Sequence, residues 1–206
     1  KNVAVLFHDM RIRKRCAIVT DLDTIFFGVE PDSNDLSAMA ARKLRAIGSQ
    51  ESGAVRKTNL DKFVAGNPWL DTFYATHTFE VDFVAANNQE SVVRTIHKVY
   101  KSPPTIAEAL EQLRSGQLHQ VGYRTLLMAE QEGKGWFAIL LAEELDYQVV
   151  IPAYIREAIL FAHSHFSRPL IARILQYRVD CQFRADPSAH TRLAIFKDKL
   201  ERFGEG

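Results

Sequence analysis

The feature that most constrains the fold is a short apolar segment at residues 16–20, Cys-Ala-Ile-Val-Thr, followed at once by Asp21-Leu22-Asp23. Its length and its β-branched residues predict a β-strand. A strand that is apolar at successive positions, rather than at alternate ones, is typical of a parallel sheet with helices on both faces. We therefore expect an α/β core in which this strand is buried.

A second apolar run at residues 72–76 predicts a second strand. Between the two runs lies a loop rich in Pro, Asp, Ser and Asn at residues 31–35. Such a composition favours a helix start, so we expect a helix capped near Asn34 or Asp35 that ends at Gly48.

The chain after Glu80 has a mostly helical pattern. We expect helices that begin at Pro103 and end at Gly116, that cover residues 136–145, that run from Pro152 to about Ser164, and that cover residues 191–203. A few strands followed by many helices favours an α/β core with a helical insertion and a helical C-terminal extension.

Composition excludes several classes of protein. The 206 residues are 47% hydrophobic and 25% charged, which is typical of a folded globular chain rather than a disordered one. A net charge of +1 gives no molecule-wide attraction to nucleic acid, so any such contact has to be local. The longest apolar stretch, residues 136–142, is too short to cross a bilayer. Cys16 and Cys181 lack a CxxC spacing, and we expect reduced thiols in a cytoplasmic protein.

Acidic residues follow both predicted strands. In open α/β sheets, functional groups lie at the carboxyl ends of the strands, and two carboxylates there suit a cation such as Mg²⁺. Asp21 and Asp23 are therefore candidate metal ligands, and Glu80 joins them if the two strands are neighbours. The alternatives are an acidic turn at Asp21 and a helix N-terminal acid at Glu80, with Thr78 as its cap. Asp82 is expected to be a solvated acid of the first helical turn.

Basic residues give weaker signals. Lys134 lies between two glycines at a predicted helix start, where its ammonium group could contact a phosphate. An exposed loop lysine is the alternative interpretation. The run from Arg11 to Arg15 could contact a phosphate backbone, or it could be a solvated segment before the strand. The chain has no GxxxxGK[ST] or GxGxxG motif, and so no nucleotide-binding loop of its own is expected.

Four segments resemble motifs of one nuclease family, in the order in which that family has them. Residues 17–23 resemble the strand and DxD motif of TOPRIM domains, and residues 78–82 resemble the TxExD element of the OLD (overcoming lysogenization defect) family. Residues 133–138 are similar to its KGxFA segment, and residues 149–155 to its vvPxYI segment. The resemblance covers about residues 1–160.

The resemblance implies a Rossmann-like TOPRIM domain that cleaves DNA with a two-metal site holding Mg²⁺ or Mn²⁺. It implies that Asp21, Asp23 and Glu80 hold metal and that Lys134 and Glu80 are catalytic. It further implies an N-terminal ABC-type ATPase in the parent chain, a homo-oligomer and a role in anti-phage defence. The corresponding division is a partial TOPRIM core at 1–83, a helical insertion at 84–131, the rest of the catalytic domain at 132–165 and a helical extension at 166–206.

One expected residue is missing from the chain. TOPRIM domains have a glutamate after an earlier strand, upstream of the DxD motif, and neither Glu30 nor Glu51 can replace it because both follow the motif. The chain also begins without methionine and soon enters the first strand. We therefore expect a piece of a longer polypeptide that is incomplete as a nuclease by itself.

Two other functions remain open. Asp21-Leu22-Asp23-Thr24-Ile25 is close to the DxDx[TV] motif of haloacid-dehalogenase-type phosphatases, although Ile25 lacks a hydroxyl group and no GDxxxD segment follows. The other alternative is a non-catalytic interaction module with a degenerate TOPRIM site. Such a module would gain no stability from Mg²⁺ or Mn²⁺, whereas a bound cation stabilises a folded protein.

Overall fold

The structure, a computed structural model, describes residues 3–30, 32, 36–163, 168–186 and 190–205. Two compact units divide the chain, Lys1–Ala162 and His163–Gly206. The predicted helix cap at Asn34 or Asp35 and the predicted helix end at Ser164 lie outside the described residues. The finer division of the first unit into core and insertion stays a prediction.

A two-stranded parallel sheet forms the β part of the first unit. Strand β1 (Cys16–Asp21) pairs with β2 (Leu70–Ala75), with Cys16 opposite Leu70 and Asp21 opposite Ala75. Both predicted strands are thus confirmed, and their carboxyl ends meet at one edge. In the described ranges this sheet is small and the protein is mixed α/β but mostly helical.

The expected burial of the first strand is wrong. None of the six residues of β1 is fully buried, and Val19 is 48% exposed. A two-stranded sheet leaves part of each strand uncovered, whereas the apolar sequence of β1 suggested an inner strand of a larger sheet.

Helix α1 (Ser37–Val64) connects the two strands and passes through Gly48 without ending. The prediction of a helix end at Gly48 is therefore wrong, because a single glycine lowers helix stability by only about 1 kcal/mol. Helix α1 ends at Val64, and Gly66, two residues later, has a left-handed backbone with φ 76°. That conformation ends helices readily and is easily adopted by glycine.

Two helices cover opposite faces of the sheet. The ring of Phe73 lies 5.8 Å from that of Phe161 in α7 (Ala153–Ala162), measured between ring centroids. The next residue, Tyr74, donates a hydrogen bond of 2.6 Å from its hydroxyl to Asp61 Oδ1 in α1. Successive strand residues point to opposite faces, so α7 and α1 lie on opposite sides.

The main hydrophobic core of the first unit lies among helices rather than on the sheet. Its largest fully buried apolar side chains include Ile96, Leu113, Met128 and Phe137. The helices that supply this core are α2 (Phe79–Phe83), α3 (Gln89–Val99), α4 (Pro103–Arg114), α5 (Leu118–Glu132) and α6 (Lys134–Ala142). Helices α4 and α6 match the predicted ones.

The second unit is a pair of helices, α8 (Arg168–Ala185) and α9 (His190–Glu205). Val179 and Leu200 are buried in this unit, and Lys197 Nζ lies 3.3 Å from Asp180 Oδ1. Both cysteines are free thiols. In the part of the chain that the structure describes, no helix is long and apolar enough to cross a membrane.

Candidate functional site

The turn that follows β1 holds its two aspartates at the edge of the sheet. Leu22 N–H donates to Ala75 O and Thr24 N–H donates to Thr76 O, each at 3.0 Å. Between these two bonds, Asp23 adopts a left-handed backbone with φ 53°. Aspartate tolerates this conformation better than most residues. The turn therefore keeps strand-like pairing on both sides of Asp23.

Arg56 in α1 contacts both aspartates. Its Nη2 atom donates to Asp21 O at 2.8 Å, to Asp21 Oδ1 at 3.2 Å and to Asp23 Oδ2 at 3.0 Å. Its Nε atom is buried and has no hydrogen-bond partner in the described residues. Sequence reasoning missed this arginine, because it lies 33 positions after Asp23 in the middle of a long helix.

Gly53 brings α1 close enough for this contact. A Cβ atom at this position would lie 2.0 Å from the carbonyl oxygen of Leu22, which is a backbone atom. Gly53 and Arg56 are three residues apart and therefore lie on the same face of the helix. Only a glycine permits the helix to approach the Asp21–Asp23 turn at this distance.

The end of β2 carries the second acidic group of the site. Glu80 lies in the first turn of α2 and is 8% exposed. Lys134, the first residue of α6, places its Nζ 3.5 Å from Glu80 Oε1, and 57% of its side chain is exposed. The structure thus brings together two residues that the sequence had proposed separately.

Two polar residues near Glu80 differ from their predicted roles. Thr78 occupies the N-cap position of α2, but its side chain makes no capping hydrogen bond. Its Oγ1 atom is buried and without a hydrogen-bond partner among the described residues. Asp82 is not a solvated acid, because its carboxylate accepts hydrogen bonds from Thr76 N–H at 2.7 Å and His77 N–H at 3.2 Å. Asp82 therefore fixes the turn between β2 and α2.

Tyr154 in α7 is a further member of the site. Burial raises the pKa of its phenol to about 12, and the negative charges of Asp82, Asp21 and Glu80 add to the effect. Tyr154 and Asp82 line one cavity beside the carboxyl end of β2. The phenol is therefore partly buried on the same side of the sheet edge as Asp82. The sequence placed Tyr154 in a motif but gave it no role.

Asn88 positions the segment that leads to Tyr154. Its side-chain Nδ2 donates to Val150 O at 2.7 Å, and its Oδ1 accepts from Val150 N–H at 2.8 Å. A further bond of 2.9 Å runs from Nδ2 to Phe83 O. The buried amide thus ties the segment before Pro152 to the end of α2. No sequence signal identified Asn88, because its partner lies 62 positions away.

The donor atoms fit a divalent cation in their chemistry. Three oxygens of Asp21 and Asp23 lie 2.8–3.2 Å from one guanidinium nitrogen, so a single positive centre can contact both residues. Carboxylate and carbonyl oxygens are the preferred ligands of Mg²⁺. Across the described ranges, however, no three His, Cys, Asp or Glu side chains lie close enough together to hold a metal ion. A cation at the aspartates would have to replace Arg56.

The basic run before β1 does not belong to this region. Arg15 directly precedes β1, and its guanidinium lies over the ring of Phe161, 5.4 Å from the ring centroid. Arg13 Nε donates to Asp9 O at 2.7 Å. The site lies at the other end of the strand, about 20 Å away at roughly 3.3 Å per residue. The phosphate-contact hypothesis for this run gains no support from the site.

Comparisons of the chain with models of known protein families, with curated proteins and with solved structures found no match. Functional interpretation therefore depends on the arrangement of the residues themselves.

Proposed function

We propose that the chain carries the metal-binding part of a divalent-metal-dependent DNA endonuclease. In this proposal Asp21, Asp23 and Glu80 hold Mg²⁺ or Mn²⁺, and Lys134 with Glu80 acts at the scissile phosphate. The observation that supports the proposal is the parallel register of β1 and β2, which places Asp21 opposite Ala75, five residues before Glu80. The four motif resemblances described above also support it.

Each side chain has a position that suits its role. Bound divalent cations would supply an activated water and neutralise charge on the phosphodiester. Lys134 contacts Glu80 through its ammonium group, and because 57% of its side chain is exposed, that group can turn toward a phosphate oxygen outside the protein. Arg56 neutralises Asp21 and Asp23 when no cation is bound and would turn outward, toward the negatively charged substrate, when one is.

The wider context of the proposal follows from the resemblance. We place the chain in a cytoplasmic homo-oligomer that acts on DNA, joined to an N-terminal ABC-type ATPase and serving in anti-phage defence. The upstream glutamate that TOPRIM domains have would complete the ligand set from a segment before residue 1.

A second candidate is a non-catalytic interaction module. One observation favours it: Arg56 already satisfies the two aspartates, with contacts of 3.2 Å and 3.0 Å to their carboxylates. In a purely structural ion pair, the arginine would remain in place in every state. The two candidates therefore differ in whether a divalent cation displaces Arg56.

The test is cleavage of supercoiled plasmid by the complete polypeptide to which this sequence belongs, in Mg²⁺, Mn²⁺ or EDTA. We expect cleavage that needs the metal and is lost in Asp21→Asn and Glu80→Gln. Glu111→Gln, which removes an exposed carboxylate on α4, is the matched control and should cut like the unchanged protein. Intact plasmid in every metal would reject the nuclease proposal. Hydrolysis of a small phosphate ester by the same samples would then favour a phosphatase.

A further inference from the structure

A cavity of about 300 Å³ lies beside the proposed metal site, with Asp23 and Lys134 in its lining. Its size is at the lower end of the range for pockets that hold small ligands, about 300–1,000 Å³. Residues of α1 and α5 form its walls, and the turn after Asp23 forms its floor. The cavity is therefore connected to the place where a scissile phosphate would lie.

Among the residues that the structure describes, the ion pairs of the lining leave one cation without an anionic partner. Arg42 Nη2 contacts Glu130 Oε2 at 2.6 Å, and Lys134 is paired with Glu80. Arg45 is exposed and makes no hydrogen bond or ion pair with any residue that the structure describes. An anion that enters the cavity would therefore meet an unpaired guanidinium, which is well suited to a phosphate group.

The remaining lining is partly aromatic and partly hydroxyl-bearing. Phe26 and Phe27 both line the cavity, and neither is fully buried. Gly122 lets α5 approach Phe26 closely, since a Cβ there would lie 2.9 Å from the ring atom Cε2. Ser49 and Thr78 contribute hydroxyl-bearing side chains to the same lining.

From this arrangement we propose that the cavity binds one unstacked nucleotide of single-stranded DNA next to the cleaved bond, with Arg45 on its phosphate and Phe26 and Phe27 against its base. The proposal rests on the proposed nuclease function and specifies the form of its substrate. A base inside a duplex is stacked on its neighbours and cannot enter such a cavity without leaving the stack. Aromatic side chains combined with a cation are the recurrent means of holding single strands.

The test is binding of a fluorescein-labelled oligothymidylate to the full chain, followed by fluorescence anisotropy in EDTA at several salt concentrations. Arg45→Gln should weaken binding about tenfold at low salt. It should also reduce the slope of log Kd against log salt concentration by about 0.7, since one phosphate contact on a single strand is lost. Lys62→Gln removes an exposed charge from the same helix outside the cavity, and it should change neither quantity.

An abasic oligonucleotide of the same length tests the aromatic part, and we expect it to bind about tenfold more weakly than the oligothymidylate. Equal binding of the two oligonucleotides, or an Arg45→Gln protein that binds like the unchanged one, would overturn the proposal. Because EDTA prevents cleavage, the two proposals fail separately. If the oligothymidylate binds as expected but the plasmid is not cleaved in any metal, the nuclease proposal is rejected and the nucleotide-binding cavity is retained. If the plasmid is cleaved but Arg45→Gln does not weaken oligothymidylate binding, the cavity proposal is rejected and the nuclease proposal is retained.

Discussion

Lys134 Nζ lies 3.5 Å from both carboxylate oxygens of Glu80, although the two residues are 54 positions apart in the sequence. Only 11% of the Glu80 side chain is exposed, against 57% for Lys134. The carboxylate is thus held in place by its surroundings, whereas the ammonium can turn toward solvent. The Glu80 carboxylate can therefore hold the Lys134 ammonium group in position for a substrate.

The pair should show energetic coupling. Lys134→Gln leaves the nearly buried Glu80 without its cation, and we expect the free energy of unfolding to fall by about 1 kcal/mol. Glu80→Gln in the same protein should restore most of that loss, because no unpaired charge then remains. Urea denaturation of the two single variants and the double variant measures the coupling. If the two substitutions change the free energy of unfolding additively, the contact between Lys134 and Glu80 contributes nothing to stability.

Arg56 should compete with divalent cations for Asp21 and Asp23. Arg56→Gln removes the guanidinium that now contacts both carboxylates. We expect Mn²⁺ to bind about fivefold more tightly, since the partly exposed ion pairs that it must break contribute about 1 kcal/mol. Isothermal titration with Mn²⁺ measures this affinity.

Lys57→Gln is the matched control for that titration. Lys57 is the next residue in α1, but it pairs with Asp61, and its removal should leave Mn²⁺ affinity unchanged. Equal affinities of the Arg56→Gln protein and the unchanged protein would favour the structural role of Arg56 and thus the non-catalytic module.

Two glycines of α1 should respond in opposite ways to alanine. Gly53→Ala forces a Cβ against the backbone of Leu22, so we expect a loss of about 1–3 kcal/mol in the free energy of unfolding. Gly48→Ala adds a Cβ that meets nothing within 4 Å, and it should stabilise the helix by about 0.5–1 kcal/mol. Thermal unfolding followed by circular dichroism distinguishes the two. A Gly53→Ala protein as stable as the Gly48→Ala protein would contradict the close approach of α1 to the Asp21–Asp23 turn.

Tyr154 should make the free energy of unfolding depend on pH in the alkaline range. Its pKa is raised to about 12 in the folded protein, above the ordinary value of about 10. The folded state therefore holds the proton more tightly, and the resulting stabilisation is complete below pH 10 and is lost as the pH rises toward 12. Tyr154→Phe should remove this part of the pH dependence. Urea denaturation of both proteins across that range measures it, and parallel pH profiles would show that the phenol of Tyr154 is not buried in the folded protein.

The sequence predicted the two strands that lead to the site better than it predicted the burial of those strands. The apolar run before Asp21 predicted β1 and the second apolar run predicted β2, whereas the approach of Glu80 to Asp21 and Asp23 stays a prediction. These signals are local, since strand periodicity and the residue types after a strand can be read from a few positions. Burial of β1 was overestimated because the number of strands in a sheet depends on the whole chain.

The partners that determine the site's chemistry could not be predicted. Arg56 and Asn88 act through contacts with residues distant in sequence and belong to no short motif, and Tyr154 lies in a motif-like segment that gave it no role. The course of α1 was also missed, because Gly48 is a common helix-ending residue while the need for Gly53 comes from the approach of Leu22. Tertiary contacts of this kind override local preference.

The most direct test of the account is whether Mn²⁺ binds at the end of the sheet. Nuclear magnetic resonance of the isotopically labelled full chain detects this, because bound Mn²⁺ broadens the amide signals of nearby residues. We expect broadening at Leu22, Thr24 and Val81, no broadening at Ala109 in α4, and loss of the effect in Asp21→Asn. If these three signals stay sharp, or if they broaden equally in Asp21→Asn, then Asp21, Asp23 and Glu80 do not form a metal site.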